Sequence, residues 1–115
     1  MERRYDLEER TEKFAKTVIG LCNNLPKTTV NIELISQLVR SAGSVGANYI
    51  EANDGLSQKD FVNRIKICRK EAKESRYWLR LMAPTNTQSE AEITRLAQES
   101  TELMNIFGAI LKKST

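Results

Sequence analysis

Apolar and small residues between Ser57 and Met82 fall at Phe61, Ile65, Cys68, Ala72, Ser75, Leu79 and Met82, alternating by four and three. At about 100° per residue that spacing keeps them on one face, the pattern of a helix packing in a bundle. The same alternation recurs along the chain. Leu7, Thr11, Phe14, Val18, Leu21 and Leu25 mark a first helix from about Asp6, a plausible N-cap, to Asn24, ending before Pro26. Leu34, Ile35, Leu38, Ala42, Val45, Tyr49 and Ala52 mark a second, from near Asn31 to Asp54, with Gly55 as a left-handed C-cap. The third is N-capped by Ser57, with Asp60 completing a variant capping box, and Pro84 ends it. The fourth starts with Ser89 capped against Glu92 and continues through Ile93, Leu96, Ala97, Ser100, Leu103, Met104, Phe107, Ile110 and Leu111. No strand pattern interrupts them. Four long helices joined by loops of a few residues must run antiparallel to their neighbours. The expected fold is all-α: one domain over residues 1–115, an up-down-up-down four-helix bundle.

The third helix carries a second pattern. Lys59, Lys66, Arg69, Lys70, Lys73, Arg76 and Arg80 gather in an arc of roughly 120° beside its apolar seam. Tyr77 stands at the edge of the arc, and Asp60, Glu71 and Glu74 project from the opposite flank. The chain as a whole carries only +3. Residues 57–83 hold eight basic and three acidic groups, so the positive excess is local. Such a face fits a polyanion, with Lys and Arg neutralising phosphates and Tyr77 stacking on a base. The alternative is a solvated face, in which Lys70 pairs with Glu74 and helix four offers Glu90, Glu99 or Glu102.

Composition narrows the chemistry. There is no histidine, which removes the usual general base and the commonest metal ligand. Cys22 and Cys68 lie alone on apolar faces and read as buried, reduced thiols. No phosphate loop, metal motif or nucleophile–base pair is present, so no enzyme, cofactor or metal is expected. No apolar run approaches the ~20 residues that span a bilayer. The segment Met1-Glu2-Arg3-Arg4 lacks a leader's apolar region, and a reducing cytoplasm is the expected location.

Two features of the helices call for partners. Gly43 and Gly46 sit inside helix two, where close approach of another helix would offset their cost. Around them Arg40, Ser44, Asn48 and Glu51 form a polar stripe that Glu71 and Ser75 could meet. It reads either as a polar pocket or as a network fixing helix register, Arg40 bridging Glu51 or Glu71. Ile67, Trp78 and Leu81 project away from the seam of helix three. Burying one such side chain contributes about 1.5–3 kcal/mol, which favours a subunit interface. Trp78 alone could instead pack on the 84–88 loop.

In sequence order come Asp6-Leu7-Glu8-Glu9-Arg10-Thr11, the run from Gln37 to Asn48, Ser57-x-x-Asp60-Phe61, and Lys70-Glu71-Ala72-Lys73-Glu74-x-x-Tyr77-Trp78-Leu79. From about residue 6 to 112 the chain resembles the bacterial four-helix bundle family, also called the 23S ribosomal RNA intervening-sequence protein family. The resemblance implies a small, non-enzymatic protein assembling as a homopentameric ring, with no catalytic residues to transfer. It also implies kinship with the accessory variability determinant proteins, which work with nucleic acid and a reverse transcriptase. The functional expectation is a non-catalytic oligomeric bundle that binds RNA or DNA through the helix-three face. The competing expectation is an interaction or scaffolding module that docks an acidic protein on the same face.

Overall fold

The structure, a computed structural model, describes residues 3–55 and 57–115. Four helices account for most of them: α1 Arg3–Asn23, α2 Thr29–Asn53, α3 Gln58–Met82 and α4 Glu90–Ser114. α3 packs extensively on both α2 and α4, while α1 leans on α2 and touches α4 more lightly. The bundle is 44 Å long and about 20 Å across. Every predicted seam faces inward. Phe14, Leu21, Leu38, Ile65, Leu79, Leu103 and Phe107 are almost fully buried, and the Tyr49 and Phe107 rings meet at 5.8 Å. Leu34, Ile35, Phe61, Ala97, Met104, Ile110 and Leu111 pack around that core, partly covered.

The helix ends depart from expectation more than the helix faces do. α1 is already running at Arg3, so Asp6 lies in its first turn and is not the N-cap. α2 starts two residues before Asn31, because Thr28 Oγ1 accepts the Asn31 N–H at 3.1 Å. At the other end Gly55 ends the helix without a left-handed backbone, its N–H donating to the Ala52 carbonyl. Ser57 caps α3 as expected, accepting the Asp60 N–H at 3.1 Å. Ser89 precedes α4, but its side chain caps nothing. The chain winds into α4 through two 3-10 turns, Ala83–Thr85 and Thr87–Ser89. Backbone bonds within those turns take over the role expected of a capping side chain.

Asn31, assigned from sequence to a helix start, is buried and paired with Asn86. Asn31 Nδ2 donates to Asn86 Oδ1 at 2.8 Å, and Asn86 Nδ2 returns a bond to Asn31 Oδ1 at 3.0 Å. Each amide also donates to a carbonyl, that of Pro26 or of Met82. This pair ties the α1–α2 loop to the α3–α4 turn.

The two helix-two glycines have different reasons. A Cβ on Gly46 would sit 3.0 Å from Thr11 Oγ1 and 3.3 Å from Thr11 Cβ. Glycine there lets α1 close on α2, which offsets the ~1 kcal/mol it costs relative to alanine. A Cβ on Gly43 would meet nothing within 4 Å, so the expected close approach does not occur there inside the protomer.

Both cysteines are buried and free. Burial raises the Cys22 thiol pKa, and it pushes Cys68 from about 9.0 up to about 12. A raised native pKa leaves stability intact below the unfolded value and erodes it above, here from pH 9 toward 12. We expect wild type to lose about 1–2 kcal/mol more than Cys68→Ala between pH 8.5 and 10.5, at up to ~1.4 kcal/mol per pH unit. Urea titrations at the two pH values measure it. Parallel losses in the two proteins would show that Cys68 does not titrate on unfolding.

Candidate nucleic-acid interface

The α3 seam fixes where its cations point. With Ile65, Cys68, Ala72 and Leu79 turned inward, helical geometry turns Lys59, Lys66, Lys70 and Lys73 outward and Arg69, Arg76 and Arg80 toward α4. Six of the seven are exposed, and Arg76 is half-buried. Lys59, Lys66, Lys73 and Arg80 follow one another at intervals of seven. From Lys59 to Arg80 the row runs about 30 Å at 1.5 Å per residue.

Among the described residues none of these seven cations has an ion-pair partner, and the reason is visible elsewhere in the bundle. Arg40 of α2 takes both acidic groups on the far flank of α3, Glu74 at 3.2 Å and Glu71 at 3.5 Å. Lys70 is thereby left without the expected Glu74. On α4, Glu99 and Glu102 turn away from α3 to Arg10 of α1. Arg10 Nε and Nη2 donate to the Glu99 carboxylate at 2.7 and 2.9 Å, and Nη2 donates to Glu102 at 2.8 Å. Hydrogen bonding to Glu99 is the main reason the Arg10 pKa lies above its ordinary value. Three of the four acids that could have screened the strip are thus spoken for, and Glu90 stands exposed at the start of α4.

The α4 edge beside the strip is neutral and polar. Arg76 Nη1 donates to Thr101 Oγ1 at 3.2 Å. Arg69 lies over Gly108, where an added Cβ would be 3.8 Å from its Nε. A shallow groove of about 260 Å³ runs between Arg76 and Arg80 on one wall and Thr94, Gln98 and Thr101 on the other. Thr94, Gln98, Thr101 and Asn105 recur at four-three-four spacing, so a shelf of hydroxyls and amides parallels the cationic row. Sequence reasoning missed this shelf, although its spacing is in the sequence. Tyr77 is 56 % exposed at the outer edge and meets Trp78 edge-on at 5.2 Å.

The polar stripe between α2 and α3 resolves into two small networks. Arg40 joins Glu71 and Glu74, while Ser41 and Ser75 share a buried hydroxyl–hydroxyl bond of 2.8 Å. Asn48 donates to the Ser44 carbonyl and accepts from Arg64. Ser44 therefore contributes backbone. Glu51 stands exposed and apart. Eleven residues, about 16 Å of helix, separate it from Arg40, too far for the expected bridge. Glu71 Oε1 lies within ion-pair range of Arg40 but has no hydrogen bond of good geometry. Of the interface candidates, Leu81 is 42 % exposed, while Ile67 and Trp78 are half-buried. Trp78 packs against the core, and its Nε1 is buried without an acceptor.

No described helix is long and apolar enough to cross a membrane. The described residues hold no group of three or more acidic, Cys or His side chains placed to bind a metal. An antiparallel four-helix bundle with one cationic flank, its cations without ion-pair partners among the described residues, is the class that fold and surface define. Residues 3–109 match the 23S rRNA-intervening sequence protein family, and the chain belongs to that family. It is similar in structure to a protein of unknown function from the S23 ribosomal protein family of Bacteroides thetaiotaomicron. The two are 29% identical, with a TM-score of 0.85 over 95% of this chain and 97% of that one. No curated protein matches the chain.

Proposed function

We propose that this chain is a non-catalytic, self-assembling bundle that binds RNA or DNA through the α3–α4 face. Lys59, Lys66, Arg69, Lys70, Lys73, Arg76 and Arg80 contact phosphates, Thr94, Gln98 and Thr101 offer hydrogen bonds to the backbone, and Tyr77 stacks on an accessible base. The observation that carries this reading is the strip itself: seven cations along about 30 Å with no carboxylate partner among the described residues. The family's name refers to a 23S rRNA intervening sequence, which makes RNA the first ligand to try. Assembly into a homo-oligomer, a pentameric ring in this proposal, would present several weak strips together and gain avidity without new contacts.

A salt titration tests it. Fluorescence anisotropy with a labelled 20-nucleotide RNA and its duplex should show affinity falling steeply between 50 and 200 mM salt. The slope should correspond to about four to seven phosphates. No binding at 50 mM salt would overturn the reading. A salt-insensitive affinity would also count against it. Strong binding to an acidic protein such as a reverse transcriptase, with none to nucleic acid, would favour the interaction module instead.

A further inference from the structure

Across the α3–α4 face the charge is graded. The cations stand on α3, the neutral side chains Thr94, Gln98, Thr101 and Asn105 come next on α4, and Glu102 and Glu99 lie beyond them. Arg10 holds both of those acids but offsets only one of their two charges, so the far edge still repels a phosphate. Phosphates therefore seat on the cations, and what lies over the shelf is an uncharged part of the ligand. The shelf has hydrogen-bonding capacity open to it. Thr101 is mostly committed, donating to the Ala97 carbonyl at 3.2 Å while accepting from Arg76. Gln98 Nε2 makes only a long contact of 3.5 Å with Glu102. Thr94 and Asn105 are exposed, and neither side chain has a hydrogen bond among the described residues. Hydroxyl and amide side chains both donate and accept.

On a nucleic-acid backbone the uncharged group that both donates and accepts is the ribose 2′-hydroxyl. We infer that the α3–α4 face takes double-stranded RNA, its phosphates on the strip and its 2′-hydroxyls on Thr94, Gln98 and Asn105. The inference rests on the nucleic-acid reading proposed above and names the ligand of that same surface. Two features select the duplex. An A-form helix displays its 2′-hydroxyls along a wide, shallow minor groove, which two helices side by side can cover. Single strands, by contrast, are held on rows of aromatic side chains. Among the described residues Tyr77 is the one exposed aromatic at this face, and it stands across the cations from the shelf. It meets a base only where the duplex ends or bulges. Sugar contacts are confined to the Arg76–Arg80 end, because toward Lys59 the α4 row continues as Gly108 and Lys112.

Fluorescence anisotropy on the full chain tests it with three labelled duplexes of one sequence and length. They are RNA, DNA, and RNA carrying 2′-fluoro in place of each 2′-hydroxyl, which keeps the A-form without the hydroxyls. At one salt concentration wild type should bind the RNA about ten-fold more tightly than either of the others, the effect of two or three hydrogen bonds. Thr94→Ala, Gln98→Ala and Asn105→Ala together remove three exposed polar tips and no charge. That variant should lose about ten-fold on RNA, down to the affinity for DNA, with the same salt slope and no loss of helicity by circular dichroism. Equal, salt-dependent binding of RNA and DNA would overturn the ribose contacts and leave the strip standing. A 2′-fluoro duplex bound as tightly as RNA would assign recognition to shape alone and overturn the role of the shelf. So would a triple variant that keeps its preference for RNA. Single-stranded RNA bound more tightly than the duplex would overturn the choice of duplex. No binding to any of them would remove the nucleic-acid reading as well.

Discussion

Reversing Lys66, Arg69, Lys73 and Arg76 to glutamate together should weaken binding to a generic RNA duplex about a thousand-fold or more at moderate salt. The salt slope should drop by about four, since each lost phosphate contact removes nearly one unit. Three of these side chains are exposed and none has an ion pair among the described residues, so no native attraction is lost with them. Only Arg76 has a bond to lose, the one to Thr101, whose net contribution is about 1 kcal/mol. Helicity should therefore be unchanged. The control is a pair of reversals on the opposite edge. Lys13 and Arg95 line the α1–α4 groove, and turning both to glutamate changes net charge without touching the strip. That variant should bind within a few-fold of wild type. Equal losses per reversed charge in the two variants would mean that overall charge, and not this surface, governs binding. Unchanged binding in the fourfold variant would eliminate the strip.

The strip is bare because the acids around it are engaged elsewhere, and this is where sequence reading reached its limit. Spacing places Lys59, Lys66, Arg69, Lys70, Lys73, Arg76 and Arg80 on one arc, since periodicity is a property of the helix alone. Whether Glu74 turns to Lys70 or Arg40 depends on how α2 and α3 pack, with Ser41 against Ser75 setting their register. Likewise Glu99 and Glu102 are within a turn of each other on α4, but only the closure of α1 brings Arg10 to them. Every inward seam could be read in advance, because burying apolar side chains dominates the choice of helix face. Helix ends could not. Helix α2 starts ahead of Asn31 because Thr28 caps it, and the Asn31 side chain is drawn into the core by Asn86, fifty-five residues away. Glu51 shares a stripe with Arg40 by angle, yet separation along the axis keeps them apart. Gly43 and Gly46 look alike in sequence, and only Thr11 distinguishes them.

The buried amide pair should be the most sensitive polar contact in the fold. Replacing Asn86 with Leu removes both bonds to Asn31 and the donor to the Met82 carbonyl, at a site where both amides are buried. A buried polar group left without its partner costs about 1–3 kcal/mol, and here the Asn31 amide and the Met82 carbonyl are both affected. We expect a loss of about 3 kcal/mol by urea unfolding and a Tm lower by about 10 °C or more. Asn31→Leu should cost a similar amount. The double variant should cost clearly less than the sum of the two, by about 1–3 kcal/mol, because the second substitution removes a group already stranded by the first. Strict additivity, or single losses under about 0.5 kcal/mol, would show that the pair does not hold the two loops together. The consequence reaches the surface. Asn86 sits between the two 3-10 turns that lead into α4, and Ser89 supplies no cap to fix that entry. The register of Thr94, Gln98 and Thr101 against Arg76 and Arg80 therefore depends on an amide pair at the end of the bundle, beyond the last charge of the strip.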